Sequence, residues 1–224
     1  MPYELYAISG APRPWRVLLG LVAKNLDFEL KTLEASKQEQ KAQAFLALNP
    51  RGRTPVLKND DFVLCESLAI LAYLDRQHPN PPLFGATTEE HARIWEQVMA
   101  ADHYLREACG ALVGPLFRGE ADDTSEALRK SAATVRDELR RLEQRLAASR
   151  FLCGEQMSAA DCVCFPEVRL VLRAIERAPE ITRRLELAPF DEAHPRLARW
   201  VARIEALPGY PRTFPAHWRR PSAA

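Results

Sequence analysis

Glu66 and Ser67 stand side by side where the apolar run SLAILAYLDRQ (residues 67–77) begins. A hydroxyl at a helix start comes with unpaired backbone N–H groups and the positive end of the helix dipole, and together these hold an anion. Glu66 sets a negative group beside them. Alone, the pair also reads as a helix cap next to a solvated carboxylate. Upstream, Ser9 lies in the turn-rich stretch SGAPRP (residues 9–14), where a hydroxyl serves either as a donor or simply as a turn residue before Gly10. His103, Arg106 and Glu107, with Tyr104 between them, have the i, i+3, i+4 spacing of one helix face. That face suits polarising a substrate, and it equally suits a solvated salt-bridged surface. Ser158 and Asp161 have capping-box spacing, so Asp161 is expected to be structural although it is a carboxylate among apolar neighbours.

The elements that must position these residues fall into two sets. Residues 3–8 (YELYAI) and 28–33 (FELKTL) read as strands, with apolar residues at helical spacing over 15–26 between them. Residues 38–48 read as a short polar helix stopped by Asn49-Pro50. Residues 54–57 and 62–65 flank Asn59-Asp60-Asp61, a hairpin signal, and the helix opened by Ser67 follows. The order β-α-β-α-β-β-α predicts a small mixed sheet with helices. The proline-dense stretch 78–84 (HPNPPLF) reads as a linker. Beyond it the pattern is helical throughout. A helix capped by Thr87 and Glu90 is expected to run towards Val113, where Gly114-Pro115 interrupts it. A long amphipathic helix covers 125–149, a third helix starts at Ser158, and a fourth follows His194-Pro195. The expected domains are 1–78 and 87–224, joined by a linker at 79–86.

Lys and Arg nearly balance Asp and Glu, for a formal net charge of +1, so no nucleic-acid or acidic-membrane partner is expected. No apolar run approaches the ~20 residues that span a bilayer. The opening MPYELYAISG has no basic or long apolar stretch, so no secretory leader and a cytoplasmic chain are expected. The five cysteines are odd in number and include no Cys-x-x-Cys, which argues for reduced thiols and against a disulfide framework or metal site.

The segment NPRGRTPVLKNDDFVLCESLAILAYL (residues 49–74) closely resembles the glutathione-binding core of cytosolic glutathione transferases. FLCGEQMSAADCVCFP (residues 151–166) is similar to the second signature of that family, in its helical domain. The two occur in family order with the proline linker between them, and the resemblance covers nearly the whole chain. It implies a thioredoxin-like α/β domain with a mixed four-stranded sheet, followed by an all-α helical-bundle domain.

The resemblance also implies roles. Glu66 and Ser67 would hold the ammonium and carboxylate of the γ-glutamyl head. Thr54, before a cis Pro55, would pair its backbone with the cysteinyl part. Thr54 stands where the family usually has Val, a change that a backbone contact tolerates. Gln40 and Arg53 would serve the glycyl carboxylate. At the thiol the chain departs from the pattern, because a gap-free alignment puts Ala11 on the usual Ser or Cys position. Ser9 is the first candidate donor, then the Ala11 backbone or Arg13, then Tyr6. His103, Tyr104, Arg106 and Glu107 would wall the acceptor pocket. The aromatic, proline-rich tail 210–218 either folds over the pocket or packs inertly. The implied activity is conjugation of the glutathione thiolate to small hydrophobic electrophiles by a homodimer without metal. The alternatives are a glutathione-dependent isomerase, reductive dehalogenase or peroxidase, or a non-catalytic interaction module.

Overall fold

The computed structural model describes residues 2–219. Met1 and residues 220–224, at the ends of the two expected domains, lie outside the described residues. The chain divides into two compact units. One comprises residues 2–83 with 205–219, and the other residues 84–204. The tail therefore belongs with the α/β unit, whereas the sequence placed it with the helical one.

In the first unit, β1 (Tyr3–Ala7) runs parallel to β2 (Phe28–Thr32) and antiparallel to β3 (Val56–Asn59), which pairs antiparallel with β4 (Phe62–Cys65). The sheet order is β2-β1-β3-β4. Parallel neighbours need a crossover, and α1 (Pro12–Ala23) supplies it. Leu5, Ala7, Val56 and Leu57 are buried, and so are Val17, Leu18 and Leu21 of α1 and Ile70, Leu71 and Leu74 of α3 (Ser67–Gln77). α1 meets α3 closely at Gly20, where a Cβ would sit 2.4 Å from Leu71 Cδ2. The hairpin turns through Asp60 at φ 52°, a region that Asp tolerates.

Two sequence expectations change here. In place of a helix over 38–48 there are 3₁₀ turns at Ala35–Lys37 and Glu39–Lys41 and then one helical turn, α2 (Gln43–Leu46). Only Phe45 of that turn is buried, so no apolar stripe holds a longer helix. Helix α1 begins at Pro12, so the loop before it is shorter than residues 9–14. Proline at the first helical position loses no bond, since that N–H has no partner in a helix.

The second unit is helical: α4 (Thr88–Ala100), a π turn (Ala101–Leu105), α5 (Arg106–Arg118), α6 (Glu126–Arg145), α7 (Ala159–Arg177), α8 (Pro179–Arg184), α9 (Phe190–Ala193) and α10 (Pro195–Glu205), whose last residue falls in the first unit. Thr87 and Glu90 form the expected capping box. Gly114-Pro115 does not interrupt: α5 continues through Pro115, with Leu112, Val113 and Leu116 buried on either side. Packing outweighs the hydrogen bond that a mid-helix proline removes. The helix stops at Gly119, in the left-handed conformation at φ 73°. Helix α7 is buried on every side over residues 159–168, as befits a central helix.

Candidate active site

Strand register brings the expected residues of the first unit to one end of the sheet. Val56 is opposite Tyr6 on one side and Cys65 on the other. The residues just past these partners are residues 8–11 after β1, Arg53, Thr54 and Pro55 before β3, and Glu66 and Ser67 after β4. The Thr54–Pro55 bond is cis. Asn49 braces the approach: its Nδ2 donates to the Arg53 carbonyl at 2.7 Å, and its Oδ1 accepts from the Arg51 N–H at 3.1 Å.

Glu66 takes the cap position of α3 and Ser67 the first helical one. Glu66 sits at φ 69°, ψ 116°, a conformation that costs a non-glycine residue about 1–3 kcal/mol and that clusters at functional sites. Its side chain is exposed, whereas Ser67 is buried at the foot of the helix. Gln40 comes close to the residues before Thr54. A Cβ on Gly52, which has φ +59°, would lie 2.8 Å from the Gln40 carbonyl oxygen, and Lys41 Nζ donates to the Arg51 carbonyl at 3.3 Å. Gln40 Oε1 is buried without a partner, and the Arg53 side chain is exposed.

The loop after β1 offers few donors. The Ala11 N–H is spent on the Ile8 carbonyl at 3.2 Å. Pro12 and Pro14 have no N–H, so Arg13 carries the single backbone donor among the first three residues of α1. Ser9 is exposed, and its Oγ lies 3.5 Å from His217 Nδ1. Tyr6 is drawn away: its hydroxyl donates to Glu4 Oε2 at 3.2 Å, its ring tilts against Phe45, and burial pushes the phenol up.

Around this loop the tail is folded back and pinned. Trp15 Nε1 donates to Thr213 Oγ1 at 3.1 Å, and Trp218 stands edge-on to Trp15 at 5.4 Å between ring centroids. The Arg212 guanidinium lies over the Phe28 ring at 4.2 Å and donates to the Phe28 carbonyl at 2.9 Å. A cavity of about 480 Å³ remains, lined by the Ser9 loop, Leu30, Thr32 and the tail.

Comparisons with known proteins identify the family. The family description "Glutathione S-transferase, N-terminal domain" matches residues 1–76, and "Glutathione S-transferase, C-terminal domain" matches residues 125–203. Glutathione S-transferase theta-1 of Mus musculus is 30% identical over 217 residues, covering 93% of this chain and 85% of that protein. The chain belongs to the glutathione S-transferase family. Among solved structures, a glutathione S-transferase from the Antarctic clam Laternula elliptica superposes with a TM-score of 0.81 at 27% identity, covering 97% of this chain and 94% of that one. A glutathione transferase from Burkholderia graminis, solved with two glutathione molecules bound per subunit, shares the fold at a TM-score of 0.78 and 24% identity, covering 98% and 90%.

In the second unit of this transferase, His103, Tyr104 and Glu107 line one groove with Lys130, Ser131 and Thr134 of α6. Arg106 does not line that groove. Its Nε donates to the Asp102 carbonyl at 3.1 Å and its guanidinium pairs with the Asp102 carboxylate at 3.3 Å. A π turn over Ala101–Leu105 re-phases the helix just there, so simple i, i+3, i+4 spacing misjudges the face. Asp161 is fully buried and collects four donors: the Leu152 N–H, the Ser158 N–H and hydroxyl, and Trp200 Nε1, all at 2.8–2.9 Å. Burial pushes its carboxyl up, against the pull of those donors.

None of the five cysteines is bonded to another. Burial raises the thiols of Cys65 and Cys109, and pushes Cys153 up to about 12. High thiol pKa values are the opposite of nucleophile activation. His217 and Thr213 come to this loop only through contacts some 200 residues away along the chain, so no local pattern beyond the aromatic tail itself marks them.

Proposed function

We propose that this glutathione transferase binds glutathione at the sheet end of its first unit and moves the thiol onto small hydrophobic electrophiles. The convergence of residues 8–11, 53–55 and 66–67 at one end of the sheet carries the reading. The γ-glutamyl carboxylate is held by the Ser67 hydroxyl and the open N–H groups of α3, and its ammonium by Glu66. Thr54, two residues before the first paired residue of β3, pairs its backbone with the cysteinyl part as an added strand. Gln40 and Arg53 serve the glycyl carboxylate. The thiol, with a free pKa of about 8.5, needs a donor to ionise at neutral pH. Ser9 is that donor, because the Ala11 N–H is spent and Tyr6 is bonded to Glu4. The Arg13 N–H adds the dipole end of α1. His103, Tyr104 and Glu107 form part of the acceptor wall. The transferase works as a cytoplasmic homodimer.

A second reading, a glutathione-binding module without chemistry, is favoured by Ala11 at the position the family fills with Ser or Cys. Calorimetry with glutathione and turnover of a chloronitroaromatic acceptor separate the two. Binding with turnover is expected. Binding with no turnover of any electrophile would establish the module instead.

A further inference from the structure

His217 reaches the Ser9 loop from the far end of the chain and is held there by more than one contact. Its Nδ1 is 3.5 Å from Ser9 Oγ. A Cβ on Gly10 would meet His217 Cε1 at 3.1 Å, His217 Nε2 at 3.3 Å and Trp218 Nε1 at 3.3 Å. The imidazole thus lies against the one loop residue that has no side chain to push it away. The segment carrying it is fixed on both sides: Thr213 is bonded to Trp15, and the buried Trp218 packs edge-on against the same indole. His217 as a residue is exposed to solvent.

The charges around it narrow what it does. Arg212 and Arg219 line the same cavity, while Arg13 on the neighbouring α1 is exposed. Among the described residues lining the cavity none is Asp or Glu. His217 is the one imidazole among the described residues lining that cavity, and imidazole is the side-chain type suited to accepting and returning a proton near neutral pH. Ser9 supplies a hydrogen bond to a thiolate, but a hydroxyl does not keep the proton that the thiol gives up.

We propose that Ser9 and His217 form a proton relay for the glutathione thiol. This rests on the assignment of Ser9 as the thiol's donor. As the S–H bond breaks, its proton passes to Ser9 Oγ. The proton already on Oγ passes to His217 Nδ1. The thiolate is left accepting a hydrogen bond from Ser9, with an imidazolium behind the hydroxyl. When sulfur bonds to the electrophile and the leaving group departs with its electron pair, the imidazolium returns its proton to water. Net, one thiol proton reaches solvent and no oxidant or metal is consumed. His217 acts through Ser9 and touches no reacting atom.

The test uses the full chain with glutathione and a chloronitroaromatic acceptor, comparing wild type, Ser9→Ala, His217→Ala and His217→Gln. The glutamine variant keeps a polar side chain packed on Gly10 and carries the test if His217→Ala does not fold. Both His217 variants should lose about a hundredfold in kcat, the low end for acid–base catalysis, while calorimetric glutathione affinity stays nearly unchanged. The kcat–pH profile should shift to higher pH. Added imidazole should restore part of the rate to His217→Ala and none to Ser9→Ala. Normal kcat in both His217 variants with Ser9→Ala impaired overturns the relay and leaves Ser9 as donor. A loss without imidazole rescue or a shifted pH profile also overturns it, because packing alone would explain that result. Normal kcat in Ser9→Ala overturns the assignment beneath it.

Discussion

Ser67 is buried at the first position of a helix whose cap, Glu66, holds a strained positive φ with its carboxylate exposed. Strain of this kind persists where the surrounding structure over-determines it, and the β3–β4 hairpin and α3 do so here. Ser67→Ala should weaken glutathione binding by ~1–3 kcal/mol, the worth of a hydrogen bond to a charged group. An unchanged dissociation constant in a calorimetric titration would reject Ser67 as a ligand to the head group. At this scale legibility tracks sequence distance. The helix start at Glu66-Ser67 and the cis Thr54-Pro55 bond could be read because each belongs to a local pair of neighbours. The Ser9–His217 contact, and the loss of the Ala11 N–H to Ile8, appear only once the chain is folded.

Helix α7 shows how one element is anchored by a single carboxylate. Asp161 ties the helix start to Ser158, to Leu152 in the preceding loop and to Trp200 of α10. Asp161→Ala would strand several buried donors, so it should cost at least about 3 kcal/mol, more than a simple cap loss. The melting temperature should fall clearly while the Michaelis constant for glutathione stays near wild type. Normal stability with lost turnover would overturn the structural role. The capping box was readable because its spacing is local. The run of α5 through Pro115 was not, because buried Leu112, Val113 and Leu116 hold the helix there against a local breaker. Nor was the π turn that removes Arg106 from the expected face, since no residue type marks such a turn.

For the whole molecule, the two-part α/β and helical plan followed from alternation, the proline linker and helical periodicity, all of which are sequence-local. The return of the tail to the first unit did not, because aromatic residues pack on any apolar surface, and only the folded α1 presents Trp15 to them. Phe62, Met99 and Tyr104 are large apolar side chains left 46%, 42% and 62% exposed. A second copy covering such residues would bury them, so light scattering at micromolar concentration should give the mass of a dimer. A monomer would count against the homodimer. Ser9 is proposed to ionise the thiol of bound glutathione. The ultraviolet absorbance of the thiolate, titrated against pH for glutathione bound to wild type and to Ser9→Ala, tests it most directly. A thiol pKa well below the free value of about 8.5 is expected in wild type, moved back towards it in Ser9→Ala. An unshifted pKa in the wild-type complex would contradict it and leave a protein that binds glutathione without activating it.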